Sequence, residues 1–64
     1  MDSRRNERVA LSVTEAAALL GVSRPTVYQL MNRADFPSFR IGARRLISRA
    51  GLERWVQEQA ERGA

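Results

Sequence analysis

The side chains best equipped for chemistry in this sequence are hydrogen-bonding groups gathered in two places. Ser23, Arg24, Pro25, Thr26, Tyr28, Gln29, Asn32 and Arg33 lie in one short stretch, and Arg40, Arg44 and Arg45 in another. Arginine forks onto guanine O6 and N7, and Gln or Asn matches adenine N6 and N7. Ser and Tyr hydroxyls suit phosphate oxygens. Each residue also has a plainer role: Ser23 as a helix cap, Pro25 as a helix starter, Tyr28 packed on the following segment, Gln29 and Asn32 as solvated polar residues. Acid–base and metal chemistry are poorly served. The chain has no His and no Cys, which removes the commonest general base, thiolate metal sites and disulfides, and with them a zinc-stabilised fold. The acids are Asp2, Glu7, Glu15, Asp35, Glu53, Glu58 and Glu61, and they show no paired spacing on one element. The expectation is a protein that is not an enzyme and holds neither cofactor nor metal.

The charge pattern points the same way. All 11 basic residues are arginine, a choice that suits forked phosphate and guanine contacts and that a GC-rich genome also produces. Of the net charge of +4, residues 36–52 carry the whole excess: Arg40, Arg44, Arg45 and Arg49 with no acid. Such a concentrated patch is the footprint expected for a polyanion partner. With 64 residues the chain supports one small domain near the lower limit for a single hydrophobic core. No apolar run approaches the ~18 residues of a membrane span, no signal-peptide pattern opens the chain, and the expected setting is cytoplasmic and nucleoid-associated.

Positioning those residues requires a definite order of elements. Residues 1–9 are read as a flexible arm whose Arg4, Arg5 and Arg8 are either solvated or touch a phosphate backbone, and residues 10–62 as the domain. Ser12 and Glu15 form a capping box, with Leu11 placed as a hydrophobic staple on Ala16. Val13, Ala16, Ala17 and Leu20 recur at helical spacing, and Gly21 ends the helix. Ser23 and Pro25 start a second helix running over about 24–33, with Val27, Leu30 and Met31 inward and Val22 filling the angle between the helices. Phe36-Pro37 then extends the chain. Ser38–Ile41 alternates small or charged with apolar residues, the period of a half-buried strand. Gly42-Ala43 turns it and Arg44–Ile47 returns, giving a β-hairpin whose tip is expected to carry arginines rather than anything apolar. Ser48 caps a third helix with Leu52, Trp55, Val56, Gln59 and Ala60 inward, and Trp55 is the expected largest core contributor.

Two helices joined by a short glycine turn make a helix-turn-helix over residues 13–33, and a following β-ribbon makes a wing. The expected fold class is mainly α with a small β-hairpin, in the order α-α-β-β-α. The segments Leu11–Tyr28, Phe36–Gly42, Arg44–Arg49 and Leu52–Trp55 resemble the excisionase-type winged-helix family, relatives of the MerR-type DNA-binding domain. The resemblance spans roughly residues 10–58. It implies a bacterial, phage or mobile-element protein that binds double-stranded DNA through the second helix (about 24–33) and the wing (about 38–47). Members include recombination directionality factors, which assist an integrase, and AlpA-type prophage regulators. Ala43 departs from the basic or glycine residue many relatives carry in the wing turn, which implies fewer wing contacts. The chain also ends soon after the third helix, without the long dimerising helix of full MerR regulators, so a monomer in solution that can assemble cooperatively on DNA is expected. A protein-interaction module is the competing class, with the Glu58 and Glu61 face of the third helix as its docking surface.

Overall fold

The computed structural model describes residues 8–63, so Arg4 and Arg5 of the expected arm lie outside the described residues. Strand β1 (Ala10–Leu11) leads directly into helix α1 (Val13–Leu20). The Ser12 hydroxyl accepts from the Glu15 N–H at 3.1 Å, and the Ser12 N–H donates to Glu15 Oε1 at 2.9 Å, completing both halves of the capping box. Gly21 closes α1 at φ 73°, a left-handed conformation that a side chain would strain. Helix α2 (Arg24–Met31) begins at once, its first turn held by the Thr26 N–H donating to Ser23 Oγ at 3.3 Å. Strands β2 (Ser38–Ile41) and β3 (Arg44–Ser48) form the wing, and α3 (Arg49–Gly63) follows without a linker. The expected order α-α-β-β-α is present, with one strand added in front.

That added strand is the first difference from the sequence reading. β1 pairs antiparallel with β3 (Ala10 with Ser48, Leu11 with Ile47), so the sheet has three strands in the order β1-β3-β2. Two residues are too few to show a period, so the strand was invisible to pattern reasoning. It makes β3 the central strand and β2 an open edge.

The second difference is the length of α2, which stops at Met31 instead of reaching 33. Its last turn tightens: the Asn32 N–H donates to the Gln29 carbonyl at 3.2 Å and the Arg33 N–H to the Leu30 carbonyl at 2.9 Å. Bonds of this three-residue reach mark a helix ending.

One core joins all the elements. Leu11, Ala16, Ala17, Val27, Met31, Phe36, Ile47 and Leu52 are buried, and no polar or charged residue is buried with them among the described residues. Ile47 and Val27 are the largest fully buried side chains. Val22, expected to fill the angle between the helices, is instead 39% exposed, because the left-handed turn at Gly21 leaves it outside the corner. Trp55 is not the centre of the core either. It is half-buried and packs on the core's rim, while Val56 and Ala60 are exposed. At 15 residues α3 is about 22 Å long. Leu52 near its start is its one buried residue among those described.

Gly51 shows how closely α3 is seated. Its N–H donates to Ser48 Oγ at 3.0 Å, and a Cβ there would lie 2.7 Å from the Pro37 Cβ. Gly→Ala within a helix ordinarily adds up to about 1 kcal/mol of stability. Here we predict the reverse: Gly51→Ala lowers the urea unfolding midpoint. A raised midpoint would show that α3 is not packed on Pro37 as described.

Candidate nucleic-acid interface

Helix periodicity sorts the α2 side chains. At about 100° per residue, Arg24, Pro25, Tyr28, Gln29 and Asn32 share one arc, opposite Val27 and Leu30. All five are exposed, Tyr28 by 56%. Among the described residues no ion pair or side-chain hydrogen bond holds Arg24 or Gln29, so both guanidinium and amide are available to a partner. Ser23 and Thr26 stand apart. Their hydroxyls hydrogen-bond to one another at 2.9 Å while Ser23 serves the cap, so their first task is to start the helix.

Arg33 does not belong to this arc. It lies beyond the end of α2, where its guanidinium grips Asp35 at 2.9 and 3.0 Å and stands 5.8 Å from the centroid of the Trp55 ring. Trp55 in turn donates from Nε1 to Asp35 Oδ2 at 3.3 Å and meets Phe36 edge-on at 5.0 Å. These contacts tie the loop after α2 to α3. The Arg33–Asp35 spacing of two residues was the available signal, and sequence reading passed over it.

The wing arginines also divide. Register pairs Ser38 with Ile47, Phe39 with Leu46, Arg40 with Arg45 and Ile41 with Arg44. Cross-strand partners share a face and successive residues alternate, so Arg40 and Arg45 lie on the same face as buried Ile47. Arg45 uses this position to donate from Nη2 to the Met31 carbonyl at 3.2 Å. It thereby satisfies an open acceptor at the C-terminus of α2, where positive charge is favoured. Phe39, Ile41, Leu46 and Arg44 occupy the other face. The half-buried period of Ser38–Ile41 thus leaves its apolar residues on the outer face, with Phe39 39% and Ile41 60% exposed. The same finding corrects the expected all-arginine tip, because exposed Ile41 directly flanks the turn at Gly42, which has φ 60°.

Electrostatics narrows the list of open cations. Arg8 pairs with Glu15 at 3.2 Å and Arg49 with Glu53 at 3.5 Å. Glu15 is held below the usual carboxylate range, first by the Ser12 N–H, against partial desolvation, and then by Arg8 and Arg44. On α2 and the wing, Arg24, Arg40 and Arg44 are exposed and make no ion pair among the described residues; Arg54 and Arg62 of α3 are exposed too. No group of three acidic residues suited to a metal ion occurs among those residues, and no helix there is long and apolar enough to cross a membrane.

A family model described as a helix-turn-helix domain matches residues 10–60, from β1 into α3. The chain belongs to the helix-turn-helix domain family. Membership supports sequence-specific binding of DNA, and the family is typically non-enzymatic. No curated protein and no solved structure matches the chain.

The Asp35 contacts give this helix-turn-helix protein a spectroscopic handle. Arg33 foremost, and then Trp55, hold the Asp35 carboxyl below its ordinary range despite some desolvation. A depressed folded-state value means that its contribution is complete above the unfolded Asp value of about 4 and is lost as pH falls through the lower folded value. Trp55 fluorescence is therefore predicted to change in a step below pH ~4, and Asp35→Asn to remove that step. An identical acid titration in the variant would show that Asp35 does not hold Trp55.

Proposed function

We propose that this protein is an excisionase, a recombination directionality factor that binds a specific duplex site and assists a phage or mobile-element integrase. In this reading α2 lies in the major groove. Arg24 reads guanine, Gln29 and Asn32 read adenine, and Tyr28 together with the capped Ser23–Thr26 turn and Pro25 approaches the phosphates. The wing reaches the neighbouring minor groove or its phosphates through Arg44 and Arg40, with Arg45 bracing it against α2. The observation that carries the reading is the exposed polar arc of α2 standing beside a hairpin that bears the exposed arginines Arg40 and Arg44. The excisionase assignment rests on the resemblance of residues 10–58, and an AlpA-type prophage regulator would use the same parts. An integrase partner, cooperative assembly of monomers on the site and a place on the nucleoid belong to the same proposal, as does a domain over 10–62 with a preceding arm.

The two roles separate in a reconstituted integrase reaction on a supercoiled substrate. An excisionase stimulates excision, and a regulator leaves it unchanged while repressing or activating a promoter that carries its site.

The division of labour between helix and wing is testable on duplex DNA. Gln29→Ala should cost about 1–3 kcal/mol of discrimination at one base position and spare other sequences. Arg44→Ala should weaken binding to all sequences alike and reduce the slope of log K against log salt by about one. Identical behaviour of the two variants in a competition assay would contradict the assignment.

A further inference from the structure

The outer face of the wing carries something the charge count does not suggest. Ile41, 60% exposed, sits at the last strand position before the turn, with Phe39 behind it on the same face and Leu46 beside Phe39. Its cross-strand partner is Arg44, and both residues flanking Ile41 and the turn on the β2 and β3 sides, Arg40 and Arg44, are exposed cations. β2 is one of the two edge strands of the sheet. Edge strands are usually blunted with charge, since an apolar edge invites unwanted pairing. Here the charged residue of the edge, Arg40, lies on the inner face and the apolar residues face outward.

From this placement we infer that Ile41 is a minor-groove wedge: an apolar tip that presses on a flexible base step and bends the duplex, with Arg40 and Arg44 holding the phosphates on either side. The inference rests on the DNA-binding reading proposed above and adds the part of the duplex the wing deforms. Apolar residues on minor-groove binders act this way, partly unstacking a step and kinking the duplex toward the major groove. Ile suits the task because its branched Cβ restricts χ1, and Phe39 extends the apolar strip on the same face. The step most easily opened is pyrimidine–purine, TA or CA/TG. Charge favours this occupant over a second wing. The edge strand and turn carry exposed Arg40 and Arg44 and no acid, so pairing two wings edge to edge sets like charges together, whereas the duplex neutralises them. The strip is also continuous with Arg44, already part of the proposed interface.

The test is selection from a random duplex pool by the wild-type protein, Ile41→Ser and Ile41→Met, followed by bend measurement on the selected duplex by circular permutation. Exposed Ile41 is not part of the core, and thermal unfolding of each variant verifies that folding is intact. The wild type is expected to enrich a TA or CA/TG step at a fixed offset from the α2 letters and to bend the site by about 20–90°. Ile41→Ser should keep the α2 letters, lose the step and most of the bend, and bind roughly tenfold more weakly. Ile41→Met, which keeps an apolar tip, should restore both. If Ile41→Ser enriches the same step and bends equally, the wedge is overturned and the DNA reading stands. If the wild type enriches no duplex at all, the DNA reading falls and the wedge with it. Should Ile41→Ser abolish a dimer seen in sedimentation while leaving site and bend unchanged, the strip joins two copies and the wedge is likewise overturned.

Discussion

Ile47 is the residue through which α2 and the wing are made one body. It sits in the central strand, hydrogen-bonded between β1 and β2, and is completely buried against a core that includes Val27 of α2. Helix and hairpin are otherwise separated by the loop from 32 to 37. A duplex presents its major-groove edges and the next minor groove at a set angle, so a protein reading both needs that angle built in. The Ile47–Val27 core supplies the attraction, without direction. The bond from Arg45 to the Met31 carbonyl supplies the direction. On the other side of the loop, Asp35 joins Arg33 to Trp55 and fixes the exit of α2 on α3.

The structure redistributes the positive charge that a count along the chain assigns to the wing. Of the four arginines in residues 36–52, Arg49 pairs with Glu53 and Arg45 is spent on the helix terminus. Arg40 and Arg44 are left, with Arg24 on α2. Beside these cations the wing also exposes the apolar side chains of Phe39 and Ile41.

The caps, the glycine turn and both helices of the helix-turn-helix were legible because each is a local event: Ser12 with Glu15, Gly21 at positive φ, Ser23 with Thr26. The hairpin was legible from Gly42 and the flanking alternation. What escaped depends on distant partners. Alternation in Ser38–Ile41 reveals two faces but cannot say which is inward, and the register with Ile47 turned the apolar face out. β1 exists only because β3 offers it an edge. Arg33 looked like a continuation of α2 until Asp35 and Trp55 claimed it. Among candidate contact residues, Arg24, Tyr28, Gln29, Asn32, Arg40 and Arg44 stand open and exposed, whereas Ser23, Thr26, Arg33 and Arg45 are already engaged within the fold.

In the proposed DNA complex, one rigid body places α2 in a major groove and the wing in the adjoining minor groove. Interference mapping on the selected duplex tests it most directly, using 7-deazapurines to remove major-groove acceptors and hydroxyl-radical protection to report the minor groove. The account predicts a cluster of N7-sensitive purines with minor-groove protection displaced to one side by about 5 base pairs, half a helical turn. N7 sensitivity without a displaced minor-groove signal, or minor-groove protection with no N7 sensitivity, would contradict it.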